Sequence, residues 1–127
     1  MLSEFKRVAV VGMSSNPEKA SHVVGRYLRE NGYDVVPVNP SSGEILGMTV
    51  YKSLRGIPGS VEVVDIFRPP QDVPPIVEEA IAIGAKAVWM QEGIVNHEAA
   101  ELAEKNNILV VMDRCMLKEH KKLSGRG

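Results

Sequence analysis

The chain has 127 residues, a formal net charge of -1 and a single cysteine. That length supports one hydrophobic core without disulfide or metal staples and argues against a second folded domain, so residues 1–127 are expected to form a single domain. Acids and bases are interspersed, which speaks against nucleic acid or an anionic membrane surface as a partner.

No apolar run approaches the roughly 20 residues that span a bilayer, and Met1-Leu2-Ser3-Glu4 lacks a signal-peptide pattern, so the expected compartment is cytoplasmic. Cys115 on its own rules out an internal disulfide or a cysteine-cluster metal site, and His22, His97 and His120 show no ligand spacing; no metal is expected.

In chain order, the first apolar run is Arg7 to Val11, which ends in Gly12-Met13-Ser14-Ser15-Asn16-Pro17. A helix is predicted over Lys19 to Asn31, stopped by Asn31-Gly32, and a second strand over Asp34 to Val38. Ser41 to Ser60 is irregular and glycine-punctuated; it reads as an edge excursion with a short strand at Thr49-Val50-Tyr51 and a helical turn near Ser53 to Gly56. Then come a strand over Glu62 to Phe67, a helix over Val73 to Ile83 closed by Gly84, a strand over Ala87 to Met90, a helix over Asn96 to Asn106 and a strand over Ile108 to Met112. A last helix from about Cys115 to Leu123 is expected to fray into the Ser-Gly-Arg-Gly tail. Near-continuous hydrophobic strands alternating with helices imply an α/β doubly wound (Rossmann-like), mainly parallel sheet with helices on both faces. Ligands of such sheets bind beyond the carboxyl ends of the strands.

The loops at those ends carry the chemistry. Gly12 lets the backbone turn sharply and approach a ligand, and Ser14, Ser15 and Asn16 offer donors at the positive end of the following helix, an arrangement that suits an anionic nucleotide. The dinucleotide fingerprint is incomplete: Ser14 and Pro17 stand where later glycines belong, and the second strand ends in Val38-Asn39-Pro40 rather than in an acid. The Gly-Lys-Ser/Thr of a nucleoside triphosphatase is absent, which argues against phosphoryl transfer. What remains is a phosphate-receptive turn, the Asn39-Pro40 turn, and Phe67-Arg68-Pro69-Pro70 after the third long strand. Arg68 can pair with a phosphate in bidentate fashion, Lys19 can add a second charge, and Phe67 with the prolines offers apolar surface for an adenine ring.

Gly12-Met13-Ser14-Ser15-Asn16-Pro17, Val38-Asn39-Pro40, Val64-Asp65-Ile66-Phe67-Arg68-Pro69, Val88-Trp89-Met90-Gln91-Glu92-Gly93-Ile94 and Met112-Asp113-Arg114-Cys115 together resemble the small single-domain coenzyme A-binding proteins. More loosely, the chain is similar to the coenzyme A-binding domain of the succinyl-CoA synthetase α subunit. The resemblance implies that Ser14, Ser15, Asn16 and Lys19 hold phosphates, that Val38, Asn39 and Pro40 flank the nucleotide, that Phe67, Arg68 and Pro69 line the adenosine side, and that Gln91 and Glu92 meet the pantetheine arm. It implies binding of coenzyme A or an acyl-CoA, without evident catalysis, and leaves a homodimer or an unidentified protein partner open.

Plainer readings stand beside these. Gly12 to Pro17 also reads as a tight connection whose Ser or Asn caps the helix, Asn39-Pro40 as a simple turn, and Arg68 as the partner of a surface acid. Trp89 reads as core packing, His97 as a solvent-facing residue of a first helical turn, and His22 as an exposed or half-buried helix residue without a role. Cys115 reads either as a small buried residue or as a thiol near the end of the coenzyme, able to form a mixed disulfide. The competing functions are an NAD(P)-dependent oxidoreductase with an atypical fingerprint, a Cys115-dependent acyl-transfer enzyme, and an interaction protein that has kept the fold without the ligand.

Overall fold

The computed structural model describes residues 5–40 and 43–123. Along them run β1 (Arg7–Val11), α1 (Ala20–Glu30), β2 (Asp34–Val38), β3 (Glu44–Ile45), β4 (Met48–Thr49), β5 (Val63–Ile66), α2 (Val73–Ala82), β6 (Ala87–Met90), α3 (His97–Lys105), β7 (Leu109–Val111) and α4 (Met116–Leu123), with 3-10 turns at Leu54–Gly56 and Pro70–Asp72. The expected fraying over Ser124 to Gly127, and the residues Met1 to Glu4, lie outside the described residues. No helix among the described residues is long and apolar enough to cross a membrane.

The main sheet has the order β2-β1-β5-β6-β7, and each of its pairings is parallel. This is the doubly wound α/β architecture the hydrophobic pattern implies. Both faces are buried, and the side chains alternate between them. Val8, Val10, Val35, Val63, Ala87 and Trp89 pack with Val24 and Leu28 of α1 and Met116 of α4. Ala9, Val11, Val36, Val64, Ile66, Val88 and Met90 pack with Val73, Val77 and Ala80 of α2 and the alanines of α3. Each valine or leucine so buried contributes about 1.5–3 kcal/mol, which is why the strands read as unbroken apolar runs. Trp89 is core, as its place inside β6 predicts; its indole Nε1 donates to the Arg114 carbonyl at 2.8 Å.

Most predicted bounds hold to within a residue or two. β5 stops at Ile66 and not at Phe67: Phe67 N still donates to Val11 O at 2.9 Å, but the chain turns away at Arg68-Pro69. The helix stops are where Asn31-Gly32 and Gly84 place them, with φ of +93° at Gly32 and +73° at Gly84.

Among its described residues, the crossover between β2 and β5 carries no α-helix. β3 and β4 form a separate antiparallel hairpin, so Thr49 is strand, whereas Tyr51 makes an isolated parallel bridge to Val38. Tyr51 N donates to Pro37 O at 3.0 Å and Asn39 N to Tyr51 O at 2.9 Å, sealing the outer edge of β2. Pro37 tolerates its place in β2 because this is an edge strand and its missing N–H faces outward with its carbonyl. Leu54, Ile57 and Val61 fill the place of the missing helix beside α2.

The chain leaves β1 toward α1 on one face and leaves β5 toward α2 on the other. Neighbouring strands whose connections diverge in this way open a crevice at their carboxyl ends. Here that crevice lies between the loop after Val11 and the loop after Ile66.

Candidate functional site

Gly12 makes the crevice. Its N–H donates to Val38 O at 2.8 Å, its φ is +87°, and a Cβ on it would stand 2.8 Å from the Phe67 carbonyl oxygen and 3.1 Å from Arg68 Cδ. Only a residue without a side chain lets the two loops touch. Beyond Gly12, Met13 is fully buried, with its thioether against Gly25 of α1, and its carbonyl accepts Asn39 Nδ2 at 2.9 Å. Ser14 N donates to Ser21 Oγ at 2.9 Å, Asn16 N to Ser14 Oγ at 3.0 Å and Glu18 N to Asn16 Oδ1 at 3.0 Å. These bonds replace the plainer reading of the motif: α1 begins at Ala20, its N-cap residue Lys19 makes no side-chain cap, and the polar side chains brace the loop itself.

His22 corrects its own reading. It is 5% exposed, on the face of α1 that also buries Val24 and Leu28, and its Nδ1 lies 2.9 Å from Ser14 O. A carbonyl partner requires a proton on Nδ1, so His22 donates and fixes the loop from beneath. His97 begins α3 exposed, as expected.

Three adjoining recesses surround Arg68. One, of about 410 Å³, is lined by Gly12, Ser14, Lys19, Ala20, Ser21, Phe67 and Arg68. A second, of about 350 Å³, lies on the α2 side among Val38, Asn39, Pro40, Lys52, Ser53, Arg68, Pro75 and Ile76. The third, of about 480 Å³, runs the other way past Phe67, Pro69, Gln91, Glu92, Ile94 and Cys115. Phe67 and Pro69 therefore open toward Gln91 and Glu92, and Arg68 alone of that loop reaches Asn39 and Pro40. Ser15 and Asn16 stand exposed on the outer turn, outside these linings. Lys52 and Ser53 escape sequence reasoning because they arrive from the irregular crossover, where no periodicity marks them. Ile94 and Cys115 carry the weak signal of lying in loops that follow strands.

The acids around the recesses are engaged. Asp72 Oδ2 pairs with Arg68 Nη2 at 3.0 Å, Glu79 with Arg55 at 3.7 Å, and Glu92 with Lys118 Nζ at 3.1 Å, which raises the Lys118 pKa. Arg68 thus meets a surface acid, as its plainer reading holds, and lines all three recesses as well. Exposed pairs of this kind are worth under about 1 kcal/mol, so an anion of higher charge can compete for the guanidinium. Asp65 is different. It is fully buried in β5, Gln91 Nε2 donates to its Oδ1 at 2.6 Å, and its Oδ2 has no partner among the described residues. Desolvation pushes its pKa up to about 8 against the opposing bond from Gln91. The pair holds the Gln91 side chain at the floor of the third recess.

A model of the CoA binding domain matches residues 6–121. The uncharacterized protein YneT of Bacillus subtilis (strain 168) is 37% identical over 120 residues, covering 94% of this chain and 89% of YneT. A hypothetical protein from Pyrococcus horikoshii OT3 superposes with a TM-score of 0.95 at 44% identity, covering 98% of this chain and 87% of that one. ADP-forming acetate–CoA ligase I of Archaeoglobus fulgidus is 31% identical over 121 residues; the match takes in 87% of this chain and 18% of the ligase, so this chain is similar to a small part of that protein.

Two outcomes follow from this geometry. Gly12→Ala is expected to lose about 1–3 kcal/mol of stability in chemical denaturation, from the left-handed backbone and the collision with the Phe67 carbonyl; an unchanged midpoint would show that the loops do not touch. For Asp65, the folded pKa of about 8 exceeds the ordinary 3.8, so the folded chain keeps a proton that the unfolded chain releases. Its contribution to stability is therefore complete below about pH 4 and is lost as pH rises toward 8. Asp65→Asn, which does not titrate, should gain on the wild type steadily from pH 5 to pH 8. A constant difference over that range would contradict the raised pKa.

Proposed function

This chain belongs to the CoA binding domain family, and we propose that it binds coenzyme A or an acyl-CoA along the three recesses without catalysing a reaction of its own. The observation that carries the reading is Arg68, one cation shared by three connected recesses at the point where Gly12 admits a close backbone approach. Coenzyme A has the matching form: a nucleotide and a pantetheine arm joined by a diphosphate. In this reading the diphosphate lies over Gly12 and Ser14 at the uncapped start of α1, between Lys19 and Arg68, with Ser15 and Asn16 closing over it from the outer turn. The nucleoside enters beside Val38, Asn39 and Pro40. The arm runs past Phe67, Pro69 and Ile94, and Gln91, held by Asp65, with Glu92 meets its amides.

The residues fit the cofactor by charge and by shape, and their work is to bind and orient it. Asp72, Glu79 and Glu92 are held in ion pairs, which supports a binding module over acid–base chemistry. The Archaeoglobus relative is named as an acetate–CoA ligase, and its similarity to this chain over 18% of its length supports a division of labour in which this fold holds the coenzyme. Chemistry then belongs to an unidentified protein partner in the cytoplasm, or the module works as a homodimer; residues 1–127 act as one domain.

Calorimetric titration with coenzyme A, acetyl-CoA, NAD and NADP tests the reading. Saturable one-site binding of coenzyme A is expected, with both nicotinamide nucleotides silent; binding of NAD or NADP alone would replace it with the oxidoreductase. Arg68→Ala should weaken coenzyme A binding by about 1.5–3 kcal/mol, and unchanged affinity would take Arg68 out of the site.

Cys115 favours one addition. It lines the third recess, which does not take in Asn39 or Pro40, and is half-buried and free. Offered the disulfide of coenzyme A, its thiolate attacks one sulfur, forms a mixed disulfide and releases one coenzyme A thiolate. Intact mass should show a single adduct on the wild type and none on Cys115→Ser; an unmodified wild type would refute the exchange.

A further inference from the structure

We propose that Lys52, assisted by Ser53, binds the phosphate monoester on the ribose of coenzyme A and so makes the protein distinguish coenzyme A from dephospho-CoA; this rests on the binding mode of the preceding subsection. The recess on the α2 side has apolar walls from Val38, Pro40, Pro75 and Ile76, suited to a planar base. Its two carboxylates are already matched, Asp72 by Arg68 at 3.0 Å and Glu79 by Arg55 at 3.7 Å. Lys52 lines the same recess, is exposed, and has no ion pair among the described residues. Lys52 is therefore a positive charge without an ion pair among the described residues beside an apolar slot, which is the chemistry of a base that brings its own anion.

Coenzyme A carries two anionic centres. Lys19 and Arg68 stand at the Gly12 recess, where the diphosphate lies, whereas Lys52 belongs to the other recess and would face the second centre, the phosphate on the ribose.

The backbone at Lys52 is fixed on both sides. Before it, Tyr51 is bonded to Pro37 and Asn39; after it, Leu54 is 1% exposed and anchors the 3-10 turn. Ser53 precedes that turn half-buried and lines the same recess as Lys52, so its hydroxyl can donate there. A lysine is a compact charge on a flexible stem and adapts to a phosphate monoester without a bidentate geometry.

Titrating wild type, Lys52→Gln and Ser53→Ala with coenzyme A and with dephospho-CoA tests this. The wild type should bind coenzyme A about 10-fold or more tightly than dephospho-CoA, the scale of one charge-assisted contact. Lys52→Gln should lose most of that preference while binding dephospho-CoA as the wild type does, and Ser53→Ala should lose a smaller part. Because Lys52 is exposed, its variant should melt with the wild type. Equal wild-type affinity for both ligands, or a full preference retained by Lys52→Gln, would overturn this inference and leave the general binding mode standing. A wild type that binds neither ligand would overturn both.

Discussion

The contact between the backbone of Gly12 and the carbonyl of Phe67 is the constraint on which the site depends. Parallel pairing of β1 with β5 sets Val11 against Ile66, so their two exit loops start side by side. Whether those loops touch or splay is decided at the next residue, and the absent side chain at Gly12 lets them touch. Arg68 then projects from the joined loops and borders space on both sides of them. A methyl group at Gly12 would push the loops apart, and the recesses would no longer share that cation. The glycine therefore acts through spacing, with its left-handed φ as the accompanying backbone requirement.

Behind that contact, polar groups hold the surrounding loops from below. Met13 O, Ser14 N and Ser14 O are engaged by Asn39, Ser21 and His22, so the segment preceding α1 is braced from β2 and from the buried face of the helix. Desolvation dominates at Asp65: a carboxyl with one hydrogen bond and no cation beside it among the described residues keeps its proton far above the ordinary carboxylate range. A buried polar pair of this kind costs more than an apolar pair of the same size, and its return is a fixed orientation for Gln91. At the opposite end of α1, Tyr27 Oη lies 2.6 Å from His120 Nδ1 and the rings meet edge to face, which ties α4 to α1 and so positions the segment that carries Cys115.

The crossover between β2 and β5 shows how an irregular segment brings polar side chains to a recess. Without a helix to run over the sheet, the chain seals the edge of β2 through Tyr51, buries Leu54, Ile57 and Val61 against the α2 side, and in doing so carries Lys52 and Ser53 to Asn39. The apolar residues anchor the segment, and the polar ones between them are left at the mouth of the recess.

The sheet and the helices are legible in the chain because valine-rich runs buried on two faces alternate with amphipathic segments and glycine stops, and each of these signals is local. The sequence also placed Gly12, Asn39-Pro40, Phe67-Arg68-Pro69 and Gln91-Glu92 in loops that follow the strands, residues that the structure brings to the linings of adjoining recesses. It could not divide those residues among recesses: Phe67 and Arg68 are neighbours in the chain, yet Phe67 opens toward Gln91 whereas Arg68 also reaches Asn39. Nor could it find His22 under the loop, the unpartnered oxygen of Asp65 or Lys52 beside Asn39. Those are consequences of long-range packing, where partners many residues apart and the exclusion of water decide which polar group is buried, which charge is matched and which is left over, and only the tertiary structure brings them together.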